Sequence, residues 1–249
     1  MNRLSISNIA WDNFDLIYPI LKKYNIEEIE IAPTKINGSW SISDEDIYCF
    51  KKQLKDVTIY SMQSLNYNSP YNVFIQTNEF VEHIKNVIIL GSKLGAKVLV
   101  FGSPKARFLS DEKSEDIFLN VLHTIGDFCK KYDIKFCIEP NAKVYGCNFI
   151  TSSIEAIKII EKINHSHIGL HLDTACMTLE NDFISYKPYH FHVSEPYLSN
   201  FENPLCNHVG FSDSLKKIGY KNKLTIEMKN TSIDNIEKAI LFATKTYSQ

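Results

Sequence analysis

Four short phrases in the second half of the chain end apolar runs on an ionisable side chain. They are Ile138-Glu139-Pro140-Asn141, His171-Leu172-Asp173-Thr174, His190-Phe191-His192-Val193 and Ile226-Glu227-Met228-Lys229. If these runs are neighbouring parallel strands, Glu139, Asp173, His192 and Glu227 reach one rim. Three carboxylates and an imidazole in a partly desolvated cleft repel at a cost of several kcal/mol unless a cation neutralises them. A divalent metal answers that need. The donor set suits manganese, magnesium or cobalt, with zinc as an alternative, and leaves coordination positions for two substrate oxygens. Each residue also has a plain structural role open to it: Asp173 as a helix cap, Glu227 paired with a lysine, His192 as a hydrogen-bonded core histidine. Their recurrence at four consecutive strand ends favours the metal.

Strands must hold these groups, and the chain offers eight. Short runs rich in β-branched residues, near-continuously apolar as strands buried on both faces are, lie at Leu4–Ile9, Glu28–Ile31, Thr58–Gln63, Val98–Phe101, Lys135–Glu139, Ile168–Leu172, Tyr189–His192 and Lys223–Glu227. Helical patterns alternate with them. Asp12–Tyr24 carries Phe14, Ile17, Ile20 and Leu21 on one face. Ser43-Asp44-Glu45-Asp46 has cap chemistry. Thr77 or Asn78 opens a long segment to Leu94, closed by Gly95. Ser110 opens the next, to about Tyr132, and Ser152 or Ser153 the one ending near Ile163. A short sixth is expected around Asn181–Tyr186, followed by Asn207 or Ser212 to Ile218 and Ser232 to about Thr246. Eight βα units in a chain of 249 residues have the size and order of a (β/α)8 TIM barrel, read as a single α/β domain over 1–249. A doubly wound open sheet is the competitor, but no G-x-G-x-x-G or phosphate loop follows the first strand.

Composition excludes other classes. With 44 % apolar and 22 % charged residues, the chain is neither disordered nor fibrous. A formal net charge of −2, with Arg3 and Arg107 the only arginines, gives no basic footprint for nucleic acid. No apolar run approaches the roughly 18 to 20 residues that span a bilayer, so no membrane partner is expected. The opening Met1-Asn2-Arg3-Leu4-Ser5-Ile6-Ser7 lacks a secretory pattern, and the expectation is a cytoplasmic protein. Six cysteines without a C-x-x-C pair read as reduced thiols, mostly small buried residues; Cys176, close to Asp173, could add a thiolate ligand.

The quartet Glu139, Asp173, His192 and Glu227 resembles that of the xylose-isomerase-like TIM barrels, the superfamily of sugar phosphate isomerases, ketose 3-epimerases and endonuclease IV, over nearly the whole chain. Flanking phrases add to the resemblance: Ile29-Glu30-Ile31-Ala32-Pro33-Thr34, His192-Val193-Ser194-Glu195-Pro196, and Asn207-His208-Val209-Gly210-Phe211 leading to Ile218-Gly219-Tyr220. The opening Ser5 to Trp11, with the Pro33 phrase, is similar to barrels of bacterial carbohydrate and surface-polysaccharide pathways. The resemblance implies a divalent-metal-dependent isomerase or epimerase acting on a small-molecule sugar or sugar phosphate through proton abstraction beside a carbonyl and an enediolate. Glu139 and Glu227 would be both ligands and the acid/base pair, Asp173 and His192 chiefly ligands. Related barrels often pair, so a homodimer is expected.

Further candidates surround this centre. Glu30 and Gln63 end their strands and would meet substrate hydroxyls. His208 resembles the family's histidine before the last helical segment. Glu195 stands where related epimerases carry a substrate-contacting glutamate, although the arginine that follows theirs is missing. Trp11 and Trp40 could wall the pocket. Lys105 and Arg107, and more weakly Lys229, could clamp a substrate phosphate or carboxylate. Two rival functions remain open. An endonuclease IV-like phosphodiester hydrolase would need histidines where this chain has Gln63, Phe101 and Cys176. A noncatalytic sugar-binding barrel would have little reason to keep the complete quartet.

Overall fold

The computed structural model describes residues 3–109 and 114–247. Strands β1 (Leu4–Ile6), β2 (Glu28–Ile31), β3 (Thr58–Met62), β4 (Val98–Phe101), β5 (Lys135–Ile138), β6 (Ile168–Asp173), β7 (His190–Ser194) and β8 (Leu224–Glu227) alternate with helices α1 (Phe14–Lys23), α2 (Asp44–Gln53), α3 (Thr77–Leu94), α4 (Ser114–Tyr132), α5 (Ser153–Ile163), α6 (Thr174–Leu179), α7 (His208–Lys217) and α8 (Ile233–Tyr247). The strands are all parallel, in the order β1-β8-β7-β6-β5-β4-β3-β2, and make a (β/α)8 TIM barrel. Between β1 and β2 the backbone pairing is a single parallel bridge, Ser7 to Glu30. Ala32 N–H donates to Asn8 Oδ1 across that seam (2.8 Å), and Gln63 Nε2, just past β3, reaches over β2 to Ser7 Oγ (2.9 Å). Among the described residues no helix is long and apolar enough to cross a membrane.

Helix starts follow local chemistry. Asn13, Ser43, Ser152 and Asn207 cap α1, α2, α5 and α7 with their side chains, and Ser43 with Asp46 completes a capping box. Gly95 ends α3 with φ 92°, a left-handed value that costs glycine nothing. The expected sixth helix is corrected: it occupies Thr174–Leu179, not Asn181–Tyr186. Asp173 starts it by accepting the Cys176 N–H, while Asn181 turns left-handed at φ 52° and Asp182 accepts both the N–H and the hydroxyl of Ser153. That last pair leaves 181–186 as a loop. Strand β1 stops at Ile6, because Asn8–Ala10 coil into a 3-10 turn. The expected cap Ser110 lies outside the described residues.

The main apolar core lies between the barrel and its helices. Inside the barrel the pattern differs. A period of two along each strand turns Ser5 and Ser7, Ser61 and Gln63, His171 and Asp173, His190 and His192, and Thr225 and Glu227 inward, so the interior is polar over much of its height. The small apolar cluster of Val98, Val100 and Cys137 covers the side of β4 and β5.

Candidate functional site

The four expected donors converge at the C-terminal ends of β5 to β8. Ligand atoms of Glu139, Asp173 and His192 all lie within 4.8 Å of one another, and His192 Nδ1 is 3.2 Å from Glu227 Oε2. Each donor is set by a local contact. Asp173 accepts the Cys176 N–H on Oδ1 (2.7 Å) and the Ser194 hydroxyl on Oδ2. His192 Nε2 sits 3.1 Å from both oxygens of Glu30, whose carboxylate also takes the Ser61 hydroxyl (2.8 Å). A carboxylate on one ring nitrogen fixes the tautomer and presents the other nitrogen as a lone pair, the usual support of a metal-bound histidine. His192 Nδ1 is buried and, despite its nearness to Glu227, has no aligned hydrogen-bond partner among the described residues. The residues present thus fit a divalent cation.

Electrostatics say the same. Burial, with Asp173 and Glu227 close by, pushes Glu139 up to about 8 against the pull of His192. Burial and Glu227 raise Asp173 likewise. Burial works against the charged His192 ring, but Glu30 and Glu227 overcome it and hold its pKa well above the ordinary value. Deeper in the barrel, burial, helped by the charge of the neighbouring His192, keeps the other two histidines neutral. His190 falls to about 3 and His171 well below its usual range. His190 bonds His171 (3.1 Å) and the Thr225 hydroxyl (3.0 Å), forming the shelf under the site.

A pH dependence follows from these signs. Glu139, Asp173 and His192 all have folded pKa values above their unfolded ones, so the stability each contributes is lost as pH rises through the folded value. Between pH 6.5 and 8 the unfolded carboxylates are ionised and unfolded histidine is losing its proton, while folded Glu139, at about 8, keeps much of its own; the raised values of Asp173 and His192 act in the same direction. Chelator-treated protein should therefore unfold at a lower temperature at pH 8 than at pH 6.5, by of order 1 kcal/mol per pH unit. Added manganese should restore more stability at pH 8. Thermal scans at both pH values, with and without metal, check this; a midpoint that rises with pH in the chelated protein contradicts it.

Gly102, just past β4, makes room for the site. A Cβ there would stand 2.1 Å from Glu139 Oε2 and 3.3 Å from Asn141 Nδ2. Because the obstacle is the end of a side chain, the fold can survive and the carboxylate must move. Gly102→Ala should weaken manganese binding by about 10- to 100-fold, the range for a disturbed metal surround, with the melting temperature nearly unchanged. Calorimetric metal titration measures this, and wild-type affinity would dismiss the role.

The cavity above the donors, about 970 Å³, is lined by Glu139, Asp173, Glu227, Gln63, Asn141 and Cys176 at its base, with Lys105, Tyr67, Tyr71, Tyr145 and Tyr197 on its walls. Gln63 and Lys105 thus stand where the sequence suggested. Cys176 faces the site as a thiol, its pKa raised by burial and by Asp173 and Glu139, and it is contacted by Asn141 Nδ2 at 3.9 Å. Six other expected contacts lie elsewhere. Glu30 is fully buried behind His192. Arg107 is fully buried, spending its guanidinium on the carbonyls of Phe101, Glu139, Phe149 and Ile150 and on Asn141 Oδ1. Glu195 and His208 face each other at 2.6 Å, Glu195 taking the N–H groups of Leu205 and Cys206 and His208 meeting the Tyr247 hydroxyl at 2.7 Å. Trp11 packs in the core, its carbonyl accepting Lys35. Lys229 is exposed and outside the cavity lining, its N–H donating to Leu198 O. Trp40 lines a separate groove of about 1060 Å³ beside α2 and α3, together with His83 and without any of the four donors.

Some participants were not singled out from the sequence. Ser194, Asn141 and Gly102 follow a quoted strand end by one or two residues, which is the signal that marks them. Tyr145 and Tyr197 sit in loops whose path no periodicity gives.

No curated protein sequence matches the chain. Solved structures do resemble it in fold. The D-allulose 3-epimerase of Methylomonas sp. in complex with D-allulose superposes with a TM-score of 0.78 at 15 % identity, covering 98 % of this chain and 97 % of that one. The 3-keto-D-glucoside 4-epimerase YcjR of E. coli gives 0.75 at 12 % identity, with 100 % of both chains covered. The IolI protein with a bound zinc atom gives 0.74 at 17 % identity, over 98 % of this chain and 96 % of that one. At such identities the likeness is one of fold. The family described as the xylose isomerase-like TIM barrel matches residues 19–246, and the chain belongs to that family.

Proposed function

We propose that the chain is a divalent-metal-dependent sugar isomerase or epimerase that abstracts a proton from carbon beside a carbonyl. The observation that carries the reading is the gathering of Glu139, Asp173, His192 and Glu227 at one end of the barrel: ligand atoms of the first three lie within 4.8 Å of one another, and His192 Nδ1, 3.2 Å from Glu227 Oε2, is buried without an aligned hydrogen bond among the described residues. That the similar folds include sugar epimerases, one holding D-allulose, and a protein holding zinc is in keeping with it.

A cation bound at these residues supplies charge stabilisation for the oxygen that becomes negative as the C–H bond breaks. The chain does the rest. Glu139, just past β5, and Glu227, at the end of β8, flank β6 and β7, so their carboxylates come to the site from two sides. One takes the proton and the other returns a proton to the opposite face, which inverts the carbon; a single carboxylate carrying the proton to the neighbouring carbon would interconvert aldose and ketose. Asp173 and His192 stay fixed by Ser194, the Cys176 N–H and Glu30. The hydrolase alternative loses ground because Gln63 and Cys176 occupy positions where it needs histidines, and the spare histidines His171 and His190 are turned to each other below the site.

The test is incubation of manganese-loaded protein with a panel of ketoses and aldoses in D₂O. Deuterium entering one carbon-bound position, with a new epimer or isomer, is the expected result. Phosphate-ester cleavage without exchange would replace this reading with the hydrolase.

A further inference from the structure

The cavity is large for a single sugar. About 970 Å³ corresponds to roughly thirty waters at ~30 Å³ each, several times what a hexose of about a dozen non-hydrogen atoms displaces. Its charge is one-sided. Glu139, Asp173 and Glu227 stand at the base, and Lys105, an exposed loop residue, is the one cation among the described lining residues. Arg107 is committed to backbone carbonyls beneath. A substrate phosphate would meet a single hydrated ammonium and no bidentate partner.

One wall has a feature the chemistry at the base does not need. Tyr145 and Tyr197 stand edge to face with ring centroids 5.8 Å apart, and Tyr197 is 63 % exposed. Its backbone is left-handed at φ 60°, followed by Leu198 at φ 54°, a conformation that a non-glycine residue keeps only where its surroundings impose it. The surroundings hold it there. Tyr197 N–H donates to Tyr145 Oη (2.9 Å), Leu198 N–H to Glu195 O (2.9 Å) and Lys229 N–H to Leu198 O (3.0 Å). The Tyr145 hydroxyl, its oxygen taken by Tyr197, has no acceptor for its own hydrogen among the described residues. A rigid, exposed aromatic ring beside a free O–H donor, on the wall of a polar cavity, is what the apolar face and hydroxyl edge of a sugar ring dock against.

We propose that this site takes a neutral glycoside: the reacting sugar at the four donors and a second sugar ring stacked on the Tyr145–Tyr197 wall, with no phosphate required. This rests on the reading of the site as a sugar isomerase or epimerase.

The experiment uses polyols that can reach a metal but have no carbonyl, so binding is read without turnover. Manganese-loaded protein is titrated calorimetrically with sorbitol, with maltitol, which is sorbitol bearing a glucosyl ring, and with sorbitol 6-phosphate. Maltitol should bind at least tenfold tighter than sorbitol, and sorbitol 6-phosphate within about twofold of it. Tyr197→Ala should bring maltitol to within about twofold of sorbitol, while Tyr197→Phe keeps the difference. Equal affinities for sorbitol and maltitol, a clear gain from the phosphate, or a preference that survives Tyr197→Ala each overturn the glycoside proposal and leave the D₂O result standing. Failure of every polyol to bind protein that has taken up its metal overturns both.

Discussion

Glu227→Gln is expected to lower sugar interconversion by about 10² to 10⁴, the usual contribution of a positioned acid or base, at saturating manganese. The substitution keeps the size of the side chain at the end of β8 and removes its charge and basicity. Saturating metal separates the loss of a base from the loss of a ligand, and a thermal midpoint within a few degrees of wild type separates both from misfolding. Glu139→Gln should behave alike, since the proposed mechanism divides the task between the two carboxylates. Turnover by Glu227→Gln at the wild-type rate would take this residue out of the mechanism.

The second large effect is on stability. Arg107 is fully buried and serves four backbone carbonyls and the Asn141 side chain, joining the end of β4, the end of β5 and the loop that returns through Phe149 and Ile150. Arg107→Ala strands these acceptors away from water at a cost of about 1–3 kcal/mol for each that finds no substitute. With partial relaxation the expected loss is about 3 kcal/mol or more, hence a fall of roughly 6 to 12 °C in melting temperature for a chain of this size. Arg107→Lys should recover little, because one ammonium cannot span the same fork. Urea and thermal unfolding of both variants decide it; a wild-type midpoint for Arg107→Ala would show the carbonyls to be satisfied otherwise.

The sequence made the strand ends legible because two-sided burial of a parallel strand leaves a continuous apolar run, and the first polar residue after it faces the rim. That logic reached Glu139, Asp173, His192 and Glu227 directly. It also reached Glu30 but misassigned its role: what turns Glu30 inward is His192, far along the chain, together with Ser61, and such partners cannot be seen from one strand. Arg107 and His208 were read as exposed chemistry for the same reason, their acceptors coming from distant loops and, for His208, from Tyr247 at the end of α8. The sixth helix was displaced because the sequence offered rim carboxylate and helix cap as alternatives for Asp173, whereas one side chain faces the site and also takes the Cys176 N–H that starts the helix.

The seam between β1 and β2 gives the barrel an uneven rigidity. Where other neighbours share a ladder, this pair shares one backbone bridge, and the bridge falls on Glu30, the residue that orients His192. Amide protons along this join should exchange with solvent sooner than those of β5 to β7, and each brief parting would loosen the imidazole of His192, a proposed ligand of the cation. Breathing of the wall and the hold on the proposed ion would thereby be linked through one carboxylate.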